Sequence, residues 1–147
     1  MVMRHLAAAV LAFATAPAFA QKTVPGDKVY ILHSEAQGSC PSLNWHIVAS
    51  PAGVLSGMIA WDDRKVVARV AGAIDPLLQV ERFGKPLGGS PHTRTFHMIA
   101  TEVDGRNRVA NVTGTIEQNG WLRATIQGPG VACQNINVPL YNPAVPR

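Results

Sequence analysis

Cys40, Ser42 and His46 stand close together in the stretch Gly38–Ile47, which reads GSCPSLNWHI. A thiol or hydroxyl with an imidazole nearby could form a nucleophile and its base. A thiol with an imidazole could also supply half of a metal site, and a lone cysteine could be one end of a disulfide. The chain has one other cysteine, Cys133. A structural zinc site needs more Cys and His ligands at tight spacing, and only His46 lies near Cys40 in sequence. A catalytic thiol would have to stay reduced. An exported chain with an even cysteine count forms disulfides, so the leading expectation is a Cys40–Cys133 staple. Free thiols are the second reading, and catalysis or metal binding the third. Pro41 then stiffens the turn beside the bridge, and Ser42, with no visible base, is a turn residue.

Export is read from the N-terminus. Arg4 supplies a short positive region, Leu6–Ala16 an apolar run, and Ala18-Phe19-Ala20 a small-x-small cleavage pattern. Cleavage is expected between Ala20 and Gln21, giving a signal peptide over 1–20 and a single domain over 21–147. The apolar run is shorter than the roughly 20 residues that span a bilayer. No second such run follows, so no membrane span is expected in the mature chain. No cysteine follows the cleavage pattern, which argues against a lipid anchor. The expected location is the periplasm or the exterior.

Composition excludes some partners. The chain carries 13 Lys and Arg against 9 Asp and Glu, a formal balance of +4. The basic residues are scattered, whereas nucleic-acid binding calls for a clustered basic stripe. Nucleic acid is therefore not expected as a partner. The histidines beyond the leader, His33, His46, His92 and His97, form no H-x-H or H-x-x-x-H pair, and no metal or cofactor is expected. Asp62-Asp63 and Asp104 sit where turns are expected, and aspartate favours turns by bonding its own backbone. No nucleophile elbow, phosphate loop, zinc-protease or calcium-loop motif is present, so no catalytic residue is assigned.

The elements that must position these residues read as strands. Helix periodicity is absent after residue 20, and short runs rich in Val, Ile and Thr recur between turn residues. They are LNWHIVA (43–49), VLSGMIAW (54–61), KVVARVAGAI (65–74), TFHMIATEV (95–103), RVANVTGTI (108–116), WLRATIQ (121–127) and VACQNINVPL (131–140). An eighth, around Val29–His33, precedes Cys40. Asp104-Gly105 and Asn119-Gly120 supply the positive φ angles of tight hairpins. The pattern predicts an all-β antiparallel meander of seven or eight strands, closed as a small up-and-down barrel, with a two-sheet sandwich as the alternative.

Two further patterns refine this. Met58-Ile59-Ala60 recurs as Met98-Ile99-Ala100, and Val67-Ala68-x-Val70-x-Gly72-x-Ile74 as Val109-Ala110-x-Val112-x-Gly114-x-Ile116. This reads as a duplicated strand pair. Ala68, Val70, Gly72 and Ile74 share one face, as do Ala110, Val112, Gly114 and Ile116, and Leu122, Ala124 and Ile126 continue the pattern. Small residues among branched ones suit a narrow, filled barrel. The opposite face carries Arg69, Asn111, Thr113, Thr115, Arg123 and Thr125 and should be wet. His46 should point outward if Trp45 is in the core. His97 is ambiguous: alternation with Phe96 and Met98 turns it out, and alignment with Gly57 turns it in, where it would be an acid–base or ligand candidate.

The connection from Asp75 to Thr93, DPLLQVERFGKPLGGSPHT, is far longer than the others. Long connections in compact domains are usually functional or disordered, so a passive loop is the first reading and partner or ligand contact the second; Leu77, Leu78, Val80 and Phe83 could add a short strand. Arg82, Phe83, Lys85 and His92 are its candidate partner or ligand residues, with His46 and His97 as weaker ones.

C-P-x-L-x-W-H (Cys40–His46), S-G-M-I-A-W-D-D (Ser56–Asp63) and G-P-G-V-x-C-Q-N (Gly128–Asn135) together resemble a group of small exported bacterial proteins of unknown function. The resemblance covers most of the mature chain and is weakest across Asp75–Thr93. It implies an exported, disulfide-containing β-fold, and it implies no reaction. The functional expectation is a non-enzymatic binding or interaction module, with a protein or small ligand of the periplasm or exterior as partner. A structural envelope component and an enzyme using His97 or His46 with a loop carboxylate are the alternatives.

Overall fold

The fold is taken from a computed structural model, which describes residues 26–76, 81–82, 85–86 and 94–143. Residues 1–25, which include the expected signal peptide over 1–20, lie outside them. Eight strands form one antiparallel sheet: β1 (Lys28–Ser34), β2 (Leu43–Ala49), β3 (Val54–Trp61), β4 (Val66–Ile74), β7 (Arg94–Glu102), β8 (Val109–Ile116), β9 (Leu122–Gly128) and β10 (Val131–Val138). Each pairs with the next in the order β1-β2-β3-β4-β7-β8-β9-β10, a meander curled into a nearly closed barrel. Two short strands inside the long connection, β5 (Glu81–Arg82) and β6 (Lys85–Pro86), pair only with each other. Among the described residues no helix is long and apolar enough to cross a membrane.

Alternation decides which side chains fill the barrel. Trp45, Ile47, Leu55, Ile59, Trp61, Val70, Phe96, Met98, Val112, Leu122 and Ile126 are all buried. The expected small residues sit among them, with Ala68, Ala100, Ala110 and Ala124 fully enclosed. Gly72 and Gly114 complete this inner layer. A Cβ on Gly114 would fall on the Arg123 carbonyl oxygen and 2.8 Å from the Phe96 ring. Phe96 pairs directly with Gly114, so the ring occupies the space the missing side chain leaves. This close approach lets the sheet curl tightly enough to enclose its own side chains.

The apparent duplication is only half structural. Val70 and Val112 both point inward, as the motif demands. Met58 is exposed and Ile59 buried, whereas Met98 is buried and Ile99 exposed. Met58 pairs with Arg69 but Met98 pairs with Val112 rather than Asn111. A one-residue difference in hairpin register reverses every side chain, so the two Met-Ile-Ala runs occupy opposite phases. The same finding settles His97, which is turned outward between Phe96 and Met98. The outer face is wet on β8 and β9 as expected, but β3 and β7 expose Val54, Met58 and Ile99 there.

Two ties hold the end of the barrel that carries the β1–β2 and β3–β4 connections. Ser42 Oγ accepts the Asp63 N–H at 2.7 Å and donates to Asp63 Oδ1 at 3.1 Å. Its partner is thus a turn carboxylate, and the pair locks two loops together. Glu102 is almost fully buried, and Arg108 Nε donates to its Oε2 at 2.7 Å. That bond raises the Arg108 pKa further above its ordinary value.

Candidate functional site

The barrel fails to close along part of its seam, between β1 and β10. Tyr30 and Leu140 form an isolated antiparallel bridge. Around it Tyr141 N–H donates to the Val29 carbonyl at 2.7 Å, and Ile31 N–H donates to the Pro139 carbonyl at 3.3 Å. The next bond of a ladder would run from residue 139 to the Ile31 carbonyl. Pro139 has no N–H to give. Further along, β10 carries a bulge. Cys133 stands opposite Ile126 but Ile136 stands opposite Ala124, so Gln134 and Asn135 share one partner position. Asn135 adopts a left-handed conformation within this insertion, with φ 54°, and a bulge bends its strand away from the regular ladder. Among the described residues no bridge joins β1 and β10 beyond Tyr30–Leu140.

The far end of the seam is closed covalently. Cys40, in the β1–β2 connection, is bonded to Cys133 at the start of β10, with a Cα–Cα distance of 4.9 Å. The staple expected from the sequence is therefore formed, and disulfides persist in oxidising compartments. It does at one end what the Tyr30–Leu140 bridge does at the other.

Between the two closures lies a cleft of about 670 Å³. Its floor is apolar: Leu32, Leu43, Ile126, Ile136 and the disulfide. Its rim is rich in carboxamides, with Gln37, Gln127, Gln134, Asn135 and Asn137, and carries Ser34, Ser39 and Thr125 as hydroxyls. Among the described residues of the lining, Glu35 is the one acidic or basic side chain. The volume falls within the range of ligand clefts, and an apolar floor under a few convergent polar groups is their usual make-up.

A second arrangement lies at the root of the long connection. Thr95 Oγ1 donates to Asp75 Oδ2 at 2.7 Å, and His97 Nδ1 lies 3.0 Å from Asp75 Oδ1. A carboxylate only accepts, so Nδ1–H is the donor in this bond. The Thr95 hydrogen bond lowers the Asp75 pKa below its ordinary value, and the His97 bond and charge add to that. Both side chains are well exposed, His97 at 60% and Asp75 at 40%. This is a hydrogen-bonded pair on the sheet surface, and its residues line neither the seam cleft nor the depression around His46. Its consequence is measurable. Asp75 should titrate below ordinary aspartates when followed by carboxyl NMR, and Thr95→Val should move its midpoint upward. An unchanged midpoint in Thr95→Val would contradict the assignment. Because the folded-state value is depressed, the carboxylate stabilises the fold above the ordinary aspartate range near pH 4, and that contribution is lost as pH falls through the depressed value.

The remaining sequence candidates separate. His46 is exposed on the outer face of β2, paired across to Met58, in a shallow depression of about 300 Å³ shared with His33, Asn44 and Arg64. Arg82 stands opposite Lys85 in the β5–β6 pair. Phe83 and His92 lie outside the described residues. Nothing brings His46 to Cys40's sulfur as a base, because that sulfur is in the disulfide. Among the described residues no cluster of three or more His, Cys, Asp or Glu could hold a metal ion. Sequence reading missed the seam. Its signals were Pro139, which follows β10, and Gln134-Asn135, which interrupts the alternation Val131, Cys133, Ile136, Val138.

Comparison of the chain with protein-family models, with curated proteins and with solved structures returned no match.

Proposed function

We propose that the chain is an exported, non-enzymatic binding module and that the seam cleft is its binding site. The carrying observation is the cleft itself: an opening with an apolar floor and a carboxamide rim, held between a hydrogen-bonded closure and a covalent one. Among the described residues the inward side chains are buried against one another in a single core, which favours a site at the seam over one inside the barrel. Export supports an extracytoplasmic partner; it rests on the leader pattern of residues 1–20, with cleavage between Ala20 and Gln21, and is consistent with the disulfide. The Asp75–His97 pair favours a second reading, acid–base catalysis, but among the described residues nothing encloses a substrate there.

The test is native mass spectrometry of the protein recovered from its host's envelope fraction, beside the double variant Gln134→Ala, Asn137→Ala. Both side chains are exposed, so folding stability should change by less than about 0.5 kcal/mol. Losing two hydrogen bonds of about 1 kcal/mol each should weaken retention of an added mass at least about tenfold. Equal retention by both proteins would move the site elsewhere, and a bare wild-type monomer would remove the binding reading.

A further inference from the structure

We infer that the seam cleft takes an extended peptide segment of a partner protein, added as a strand along the free edge of β1; this rests on the binding reading above. The first observation is the edge itself. Val29 accepts from Tyr141, and Ile31 donates to Pro139, so these residues turn their main-chain groups toward the seam. Strand alternation turns the N–H and C=O of His33 the same way. Pro139 cannot answer the Ile31 carbonyl, and among the described residues no bridge joins His33 to Asn137, the residue that the Tyr30–Leu140 register would set opposite it. His33 lies between Leu32 and Ser34, which line the cleft, so a strand edge runs beside it, a form that proteins recognise by strand addition.

The second observation is the opposite wall. The bulged strand cannot offer a regular ladder, but it presents Gln134, Asn135 and Asn137 beside the gap. Each carboxamide carries both a donor and an acceptor, the pair of groups that a peptide main chain repeats at every residue. The floor of Leu32, Leu43, Ile126 and Ile136 suits the alternate side chains of a strand, which point to one face. The single acidic residue in the lining, Glu35, gives little to hold a phosphorylated or strongly charged ligand. Among the described residues no aromatic ring lines the cleft, so they offer no flat platform on which a sugar ring would lie. Peptide main chain is the chemistry that matches edge, rim and floor together.

The experiment uses end-capped heptapeptides of random sequence, selected on the full mature protein with its disulfide intact. The tightest peptide is resynthesised with N-methyl groups on its odd residues and, separately, on its even residues. A strand pairs only alternate residues with one edge, so one N-methyl series should lose at least tenfold in affinity while the other keeps most of it. His33→Pro, which removes a seam-facing N–H, should weaken the unmodified peptide at least tenfold. If that variant does not fold, the two N-methyl series decide alone. Equal affinity of both series with the parent peptide, or enrichment of no peptide, overturns strand addition. A glycan or lipid retained from the envelope and lost in Gln134→Ala, Asn137→Ala would overturn strand addition while leaving the binding site in place. A bare protein in that experiment would remove the binding reading itself.

Discussion

Gly114→Ala should destabilise the protein by about 3 kcal/mol or more, the upper range for overfilling a packed interior. The reason is local and specific. β8 and β9 approach so closely at Gly114 that a Cβ would fall on the Arg123 carbonyl oxygen, and Phe96 already fills the remaining space. Backbone on one side and an aromatic ring on the other leave no flexible neighbour to yield. Gly72 is built the same way, with the His97 carbonyl and the Met98 Cα in the position of its absent side chain. Thermal unfolding followed by circular dichroism should show the midpoint falling by about 10 °C or more in either alanine variant. A change under about 1 kcal/mol would mean that the strands do not approach this closely, and the tight curl of the barrel would have to be explained otherwise.

The double variant Cys40→Ser, Cys133→Ser should lose a comparable or larger amount. The bridge spans a sequence separation of 93 residues, and closing a loop of about 100 residues is worth about 4.7 kcal/mol in the chain-entropy model. The expected fall in melting temperature is about 10–20 °C. The change should also be spatially uneven. The disulfide is the closure at one end of the seam, so amide exchange should quicken first around the β1–β2 connection and the start of β10. A melting temperature unchanged by the substitutions would contradict a structural role for the bridge.

Most of the architecture was legible because its signals are local. LNWHIVA and VLSGMIAW coincide residue for residue with β2 and β3, and the other main strands differ at their ends by one or two residues. Alternation of Trp45 with His46, and of Val70 with Arg69, is enough to separate inside from outside in a meander. The disulfide was legible because two cysteines allow one intramolecular pairing. The Met-Ile-Ala repeat misled for a physical reason. Identical short runs face opposite ways when their hairpins differ by one residue of register, and register is set by turn geometry rather than by the runs themselves. His97 was ambiguous for the same cause.

The site was less legible because it is a non-local absence. Nothing near β1 in sequence says that β10 will fail to pair with it. The failure comes from Pro139 lacking an N–H and from one extra residue at Gln134-Asn135, on the opposite edge of the sheet. The Asp75–Thr95–His97 group likewise joins the two ends of the longest connection, which only the folded sheet brings together. The loop residues Phe83 and His92 remain outside the described part of the chain, while Arg82 and Lys85 are placed in their backbone pairing alone.

The central claim is that a partner occupies the seam between β1 and β10. Hydrogen exchange, read peptide by peptide on the protein bearing its envelope-derived partner and again on the bare protein, tests it most directly. Slowed exchange is expected over residues 31–37 and 133–138, with the outer face of β2 and β3 unchanged. Slowing confined to residues 44–64, or to the Asp75–His97 region, would contradict it.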